Sequence, residues 1–463
     1  MSRKSGHRLS EQTTHQLKFL MDITATSEVA PKPQPAHARL KLALVLLAYA
    51  AACCVSMLCV IHYYDYMRAF AFDRAQLIPA LLTVVPVVVV SLLFVFSRFS
   101  FGYYIGFCFY TIILGYIWLS KFSLLDYDHS LGRLSALASL VALLLPALFV
   151  TSPVRQRIVL SERAFDLLLS LILVFAAAVI TVGVLYNFRV VSLADIYKFR
   201  LTLELPRALS YAIGIASNAL LPFAFAACYL RGDRWRAAAA LVLLLLFYPI
   251  TLTKLAFFAP FWLVFLALLA AWFEARMVVV LSFFLVIVPG ILLQPLEGQH
   301  IISKSLYISY FGPANFRMIA TPAIVQDMYA DFFSKHPLTH FCQMSFVKPF
   351  VSCPYSEPLQ MVMNSNYAMG FANASLFSNE GIASVGLKWA PLSAFVCGLV
   401  IALVNRISAG LPASFILLSA GVLTQVLMNV PIATSMLSNG AVFLFLLWYV
   451  TPRTALEKQA PRT

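Results

Sequence analysis

The sequence predicts an all-α polytopic membrane protein of about 12 transmembrane helices with one large folded periplasmic loop. Composition is the first reason: of 463 residues, 61% are hydrophobic and only 11% charged, with a mean hydropathy of +0.86, far too apolar for a soluble chain. The second is that the apolar residues come in blocks of about 17 to 24, each long enough as a helix to cross a hydrocarbon layer of ~30 Å.

The blocks lie at about 39–62, 77–97, 101–121, 134–150, 164–185, 208–229, 236–252, 255–272 and 277–294, then at 389–404, 411–430 and 434–451. Residues 1–38 are polar, and Pro31, Pro33 and Pro35 precede the first block. They read as a disordered cytoplasmic tail rather than a cleaved signal peptide. Residues 39–294 then hold helices one to nine, 295–388 the loop, 389–451 helices ten to twelve, and 452–463 a second cytoplasmic tail.

Orientation follows from charge. With the N-terminus inside, the cytoplasmic side collects most of the 33 Lys and Arg residues, including Arg155, Arg157, Arg231, Arg234, Arg236 and Arg453. Both termini are therefore placed in the cytoplasm. The formal net charge of +14 reflects this topology. No zinc-finger, helix-turn-helix or RNA-binding pattern accompanies it, so membrane lipids and not nucleic acid are the expected partners.

Cys53, Cys54, Cys59, Cys108, Cys228 and Cys397 fall within apolar blocks. Only Cys342 and Cys353 lie in the outer loop, where a disulfide and two free thiols are equally open. No Cys or His cluster has metal-ligand spacing, so no metal is expected. Nucleophile-elbow, zinc-protease, phosphate-loop and dinucleotide motifs are also missing, and no cofactor is expected.

A connection as long as 295–388 should be folded. Thr321 followed by Pro322 suits a helix start. Ile324, Val325, Met328 and Phe332 then recur at helical spacing, which predicts an amphipathic helix near 322–335. It could lie on the membrane, lid a cavity or simply pack. The part from 349 to 386 is rich in Pro, Ser, Asn, Gly and aromatics, fit to present polar groups to a ligand or to be an ordinary loop.

Cations on the outer side run against the charge bias and are the informative ones. Arg189, Lys198, Arg200 and Arg207, interleaved with Tyr197 and Asp195, could grip a lipid diphosphate or merely phospholipid headgroups. Lys254 sits at a turn between Pro249 and Pro260, readable as a tight hairpin or a re-entrant element. Arg317, in Asn315-Phe316-Arg317-Met318, could join Arg200 and Lys254 around a leaving diphosphate and stabilise charge on its bridging oxygen. Asp195, Glu204, Asp327, Asp331, Glu357, Glu380 and His336 are candidate bases for a sugar hydroxyl. Asn218, Gln425 and Asn429 could line a cavity or form helix–helix hydrogen bonds.

Several local strings carry a family likeness. They are Asn187-Phe188-Arg189 leading to Asp195-Ile196-Tyr197 and Arg200; Asn315-Phe316-Arg317 leading to Pro322; Tyr329, Phe332-Phe333 and His336-Pro337; and Asn373-Ala374 with Phe377 leading to Glu380-Gly381 and Gly386. With the topology, which matches over nearly the full length, they make the chain resemble the bacterial Wzy-type polymerases of O-antigen and exopolysaccharide repeat units. The chain departs from that pattern at Glu380, where an aspartate would be expected.

The resemblance implies a metal-independent glycosyltransferase at the periplasmic face of the bacterial inner membrane. A glycan on undecaprenyl diphosphate would be the donor, and a sugar hydroxyl of a second lipid-linked repeat unit the acceptor. Arg200, Arg317, Glu380 and His336 would be catalytic, with Arg189, Lys198, Lys254, Tyr197, Asn315 and Asn373 binding substrate. A flippase and a chain-length regulator would be its partners. A polysaccharide ligase and a lipid-linked oligosaccharide transporter remain as alternatives, with a non-catalytic scaffold behind them.

Overall fold

A computed structural model of the chain describes residues 36–63, 69–192, 195–200, 203–344, 346–368 and 376–457. The tail expected over 1–38 falls outside these except for its last three residues, as does the 458–463 part of the second tail. The chain divides into Met1–Lys41 and Leu42–Thr463, and the second unit is the body treated below.

The described residues are mostly helical, joined by turns and irregular connections, and form no strand beyond one isolated bridge between Phe70 and Ser123. Among the described residues, ten helices are long and apolar enough to cross a membrane: α1 Ala36–Tyr63, α2 Arg74–Phe96, α3 Phe101–Leu119, α4 His129–Phe149, α5 Glu162–Tyr186, α7 Arg207–Leu230, α8 Arg234–Thr251, α9 Lys254–Trp272, α10 Ala275–Gly298 and Ser378–Ser408 in α14. The protein is a helical multi-pass membrane protein. Between these stand α6 Ile196–Arg200, α11 Lys304–Phe311, α12 Thr321–Lys335 and α13 Leu359–Tyr367, and α14 itself runs Leu376–Ser408.

The eleventh and twelfth expected segments form only shorter apolar helices, α15 Ala413–Leu427 and α17 Ala441–Val450, with α16 Ile432–Leu437 between them. Local chemistry explains the shortening. Pro431 precedes α16, and Gly440, at φ 79, breaks the chain before α17. The expected count of about twelve thus corresponds, among the described residues, to ten long helices and these two shorter ones.

Helix starts follow capping rules. The side chains of Ser100, Asp128, Ser161, Asp233 and Thr253 accept from first-turn amides of α3, α4, α5, α8 and α9. The core is centred on α3, buried along its whole length, with Tyr103, Tyr104, Phe107 and Tyr110 inside. Around it α4 packs along α14, where Gly398 admits the backbone of Leu143. Where Gly102 of α3 meets Ala147 of α4, Asn405 bridges them, accepting from Gly102 N (2.7 Å) and donating to Ala147 O (2.7 Å). Such amides replace the water that backbone lacks at membrane depth.

Connectivity puts the ends of α1, α3, α5, α8 and α10, together with the 299–375 connection, on one face, called the loop face below. That connection is not a separate domain. Its helix α12 coincides with the one expected near 322–335, and Thr321 through Phe333 are all buried, so of the readings left open it is the packed one. It packs on α3 and α14, and Gly115 of α3 is what lets Ala323 approach.

Candidate functional site

Between α11 and α12 the chain forms a π-helical turn, Gly312–Ala320, rather than continuing as α-helix. Such widened turns are rare and recur at functional positions. α11 starts at the loop-face end of α1, where Lys304 lies over the Tyr63 ring and Tyr307 packs on it at 4.7 Å. The turn itself goes deeper. Asn315 Nδ2 donates to Ser56 Oγ and to Ile287 O, both at 2.9 Å. Ser56 is two helical turns before the end of α1, about 10 Å inside it at 1.5 Å per residue. Gly290 of α10 faces the Asn315 amide, where any side chain would collide with it.

Arg317 stands on the same turn two residues after Asn315, and its side chain is exposed. An arginine within a membrane span is costly unless it meets an anion or a wet cavity. Asn315, expected to bind substrate, spends both amide donors on the frame that holds this turn in place, and among the described residues its buried Oδ1 has no hydrogen-bond partner.

From the turn, α12 returns to the connection between α3 and α4. There the buried Asp327 carboxylate accepts from Ser123 Oγ (2.5 Å) and from the Tyr127 hydroxyl. Tyr127 spends its proton on Asp327, so at the 2.9 Å contact between the two phenols Tyr116 is the donor. Burial pushes the Asp327 carboxyl up, while the Ser123 and Tyr127 hydrogen bonds and nearby His129 pull it down. One turn on, Asp331 accepts from Tyr367 OH of α13 and from Lys335 Nζ, both at 2.6 Å.

His336 ends α12 in the open, its ring stacked on Phe332 at 4.0 Å. His336 Nδ1 lies 2.9 Å from Phe332 O, and a carbonyl can only accept. In the neutral ring Nδ1 thus carries the proton and Nε2 is the basic nitrogen.

Glu380 lies on an arm that folds back. Gly386, at φ 75, breaks α14, and Gly381 comes against Ala390 and Ser393 on the continuing helix. The half-buried Glu380 is close enough to Tyr329 of α12 and to Cys397 for its charge to bear on both. Asn379 beside it is fully buried with neither amide atom hydrogen-bonded, and Gln326 Oε1 on α12 is likewise unpartnered.

A second group joins the connection after α5 to the end of α8. Asn187 Nδ2 donates to Pro249 O (3.1 Å) and Ile250 O (2.9 Å), Arg189 N donates to Pro249 O (3.0 Å), and Tyr248 OH to Val191 O (2.5 Å). The exposed Arg189 guanidinium sits over Phe199, 5.8 Å from its centroid. Leu252, in the left-handed region at φ 49, and Thr253 alone connect α8 to α9, so this is a tight hairpin with half-buried Lys254 in the first turn of α9.

Lys198 is exposed and pairs with Asp195 at 2.8 Å. That pairing holds the Asp195 carboxyl below its ordinary range. Tyr197 and Arg200 belong to α6, but their side chains lie outside the described residues, and so does Asn373 altogether. Cys342 and Cys353 form a disulfide, with Cα atoms 5.4 Å apart. Asn218 of α7 donates to Asn439 Oδ1 at 3.1 Å, which joins α7 to the turn before α17.

Sequence reasoning gave no role to Asn187, Ser123, Tyr127, Tyr248, Tyr367, Gln326 or Asn379. The partners of the first five are dozens to hundreds of positions away, and Gln326 Oε1 and Asn379 have none among the described residues, so only Asn187, inside a string already noted, carried any signal. No protein-family model matches the chain, and neither a curated protein nor a solved structure matches it.

Proposed function

We propose that this protein polymerises undecaprenyl-diphosphate-linked oligosaccharide repeat units by glycosyl transfer at the periplasmic face of the bacterial inner membrane. The observation that carries the reading is Arg317, an exposed cation on a π-helical turn that Asn315 ties to Ser56 within the span α1. A lipid-borne diphosphate is an anion able to reach that place from the bilayer. The Wzy-type likeness of the surrounding strings points the same way.

In this reading Arg317 holds the donor diphosphate, with Arg200, Arg189 and Lys254 as further cations. The acceptor sugar hydroxyl attacks the donor anomeric carbon, and the bond from that carbon to the diphosphate oxygen breaks. Undecaprenyl diphosphate leaves with the electron pair, its charge stabilised by the guanidinium. The hydroxyl proton passes to a base on the same face, the Glu380 carboxylate or His336 Nε2. The repeat units would come from a flippase, and a partner protein would set chain length.

The test is purified protein in proteoliposomes supplied with one lipid-linked repeat unit, extracted from a strain of the source organism that lacks this protein. A ladder of oligomers with release of undecaprenyl diphosphate is expected, and Arg317→Gln should abolish it. Consumption of substrate without a ladder until a different acceptor is added would replace polymerase by ligase. Transbilayer movement without any new glycosidic bond would make the protein a transporter.

A further inference from the structure

The Cys342–Cys353 disulfide closes a loop whose Phe346 and Phe350 are 70% and 86% exposed. Lys348 lies between them, and no acidic residue stands between the two cysteines. The root of this loop is fixed. Thr339 N donates to Ala383 O (2.8 Å) and His340 N to Ser384 O (3.2 Å), while Leu338 faces Gly386. His340 and Phe341, at φ 49 and 61, then turn the chain sharply away. Cys342 is buried, so the ring of the loop cannot swing freely from its base.

The corner to which the loop is tied has a known level. Immediately after Gly386 come Lys388 and the exposed Trp389, the first member of the outward apolar strip Trp389, Leu392, Val396, Leu399 and Leu403 on α14. That strip, one residue per turn along a membrane span, faces lipid. Trp and Lys at the end of such a strip mark the headgroup level. The loop therefore leaves the protein where hydrocarbon gives way to headgroups.

We propose that the 342–353 loop is a membrane-interface anchor that docks on the leaflet of the loop face. Phe346 and Phe350 enter the upper acyl region, and Lys348 meets lipid phosphate. Large rings beside a lysine, with no carboxylate among them, match an anionic headgroup layer, and the disulfide lowers the entropy lost on docking. Anchored so, the loop would steady the 338–342 corner and the folded-back arm that carries Glu380. The proposal stands apart from the polymerase reading, since it uses none of the residues placed at the reaction.

The test places photoreactive p-benzoylphenylalanine at position 346, 350 or, as a control on the same connection, at exposed Glu357. The full chain is reconstituted in nanodiscs of phosphatidylethanolamine and phosphatidylglycerol and irradiated, and adducts are identified by mass. Phospholipid adducts at 346 and 350 but not at 357 are expected. Lys348→Gln should lower their yield in anionic relative to neutral nanodiscs by about fivefold, the factor given by ~1 kcal/mol per basic residue at an anionic surface. Adducts to a second copy of the chain, or no lipid adduct at either ring, would overturn the anchor.

Discussion

Tyr127 donates its phenolic proton to the Asp327 carboxylate across 200 positions of sequence. With Ser123 it binds the α3–α4 connection to the middle of α12, the helix that follows the turn carrying Arg317. Tyr127→Phe removes one donor from a buried carboxylate. Hydrogen bonds to charged groups are worth about 1.5–3 kcal/mol, so a loss of ~2 kcal/mol is expected. Thermal unfolding in detergent measures it. Ser123→Ala should cost less than additively when combined with Tyr127→Phe, because both act on one carboxylate.

The same carboxylate makes stability fall with rising pH over a defined window. Burial raises the folded-state pKa of Asp327 above its unfolded value, so between the two the folded state binds more protons. Its contribution is greatest below the ordinary carboxylate range and is lost as pH climbs through the raised folded value. Asp327→Asn has no proton to lose, and of the two hydroxyls one can donate to its Oδ1 while the other turns to accept from its Nδ2. Unfolding midpoints measured across this range should flatten in the variant. An unchanged slope would show that the proton binds elsewhere.

Gly290 and Asn315 should behave as a compensating pair. A methyl at position 290 would occupy the space of the Asn315 amide, which is itself held to Ser56 and Ile287. Gly290→Ala alone is expected to destabilise by ~1–3 kcal/mol through overpacking. Adding Asn315→Ala opens that space and should recover part of the loss, as a double-mutant cycle in unfolding midpoints would show.

How much of this was legible in the sequence depends on the range of the forces. The ten long spans follow from apolar runs, which any window along the chain detects. The shortening of the last two segments depends on Pro431 and the Asn439-Gly440 break, visible only once a helix boundary is sought there. α12 was legible as a helix from Thr321-Pro322, but not its burial. Leu, Phe and Met at helical spacing look alike whether a helix lies on lipid or inside protein. The sequence singled out Arg317, Glu380 and His336 by residue type. It could not show the π-helical turn, the arm folded back at Gly386, or the Asp327 and Asn187 networks, because each is made by partners far apart in the chain.

The disulfide should stabilise the loop face without being needed for the helical body. Closing a loop of this length is worth about 3 kcal/mol in the chain-entropy account. Cys342→Ser with Cys353→Ser is expected to lower the unfolding midpoint and to expose the 342–353 stretch to proteolysis, while the far-ultraviolet helical signal persists. Cys353 is exposed and Cys342 buried, so reductant should reach the bond from the Cys353 side.

Two bases compete for the acceptor proton in the proposed reaction, and their positions differ. His336 is in the open at the end of α12, held only by its stack and its bond to Phe332. Glu380 is half-buried on the folded-back arm, close enough for its charge to bear on Tyr329, which comes before His336 along α12 from the turn that carries Arg317. A base must reach the reacting hydroxyl, which lies close to the diphosphate being displaced, so Glu380 is the expected acceptor of the proton. Glu380→Gln should lower kcat by about 10²–10⁴-fold with little change in KM, the usual worth of a general base. Glu380→Asp should keep part of that rate, since it retains the carboxylate one methylene short. His336→Gln should cost far less. Single-turnover rates of ladder formation from the lipid-linked repeat unit decide between them, and a larger loss at His336 would move the base to Nε2 of that ring.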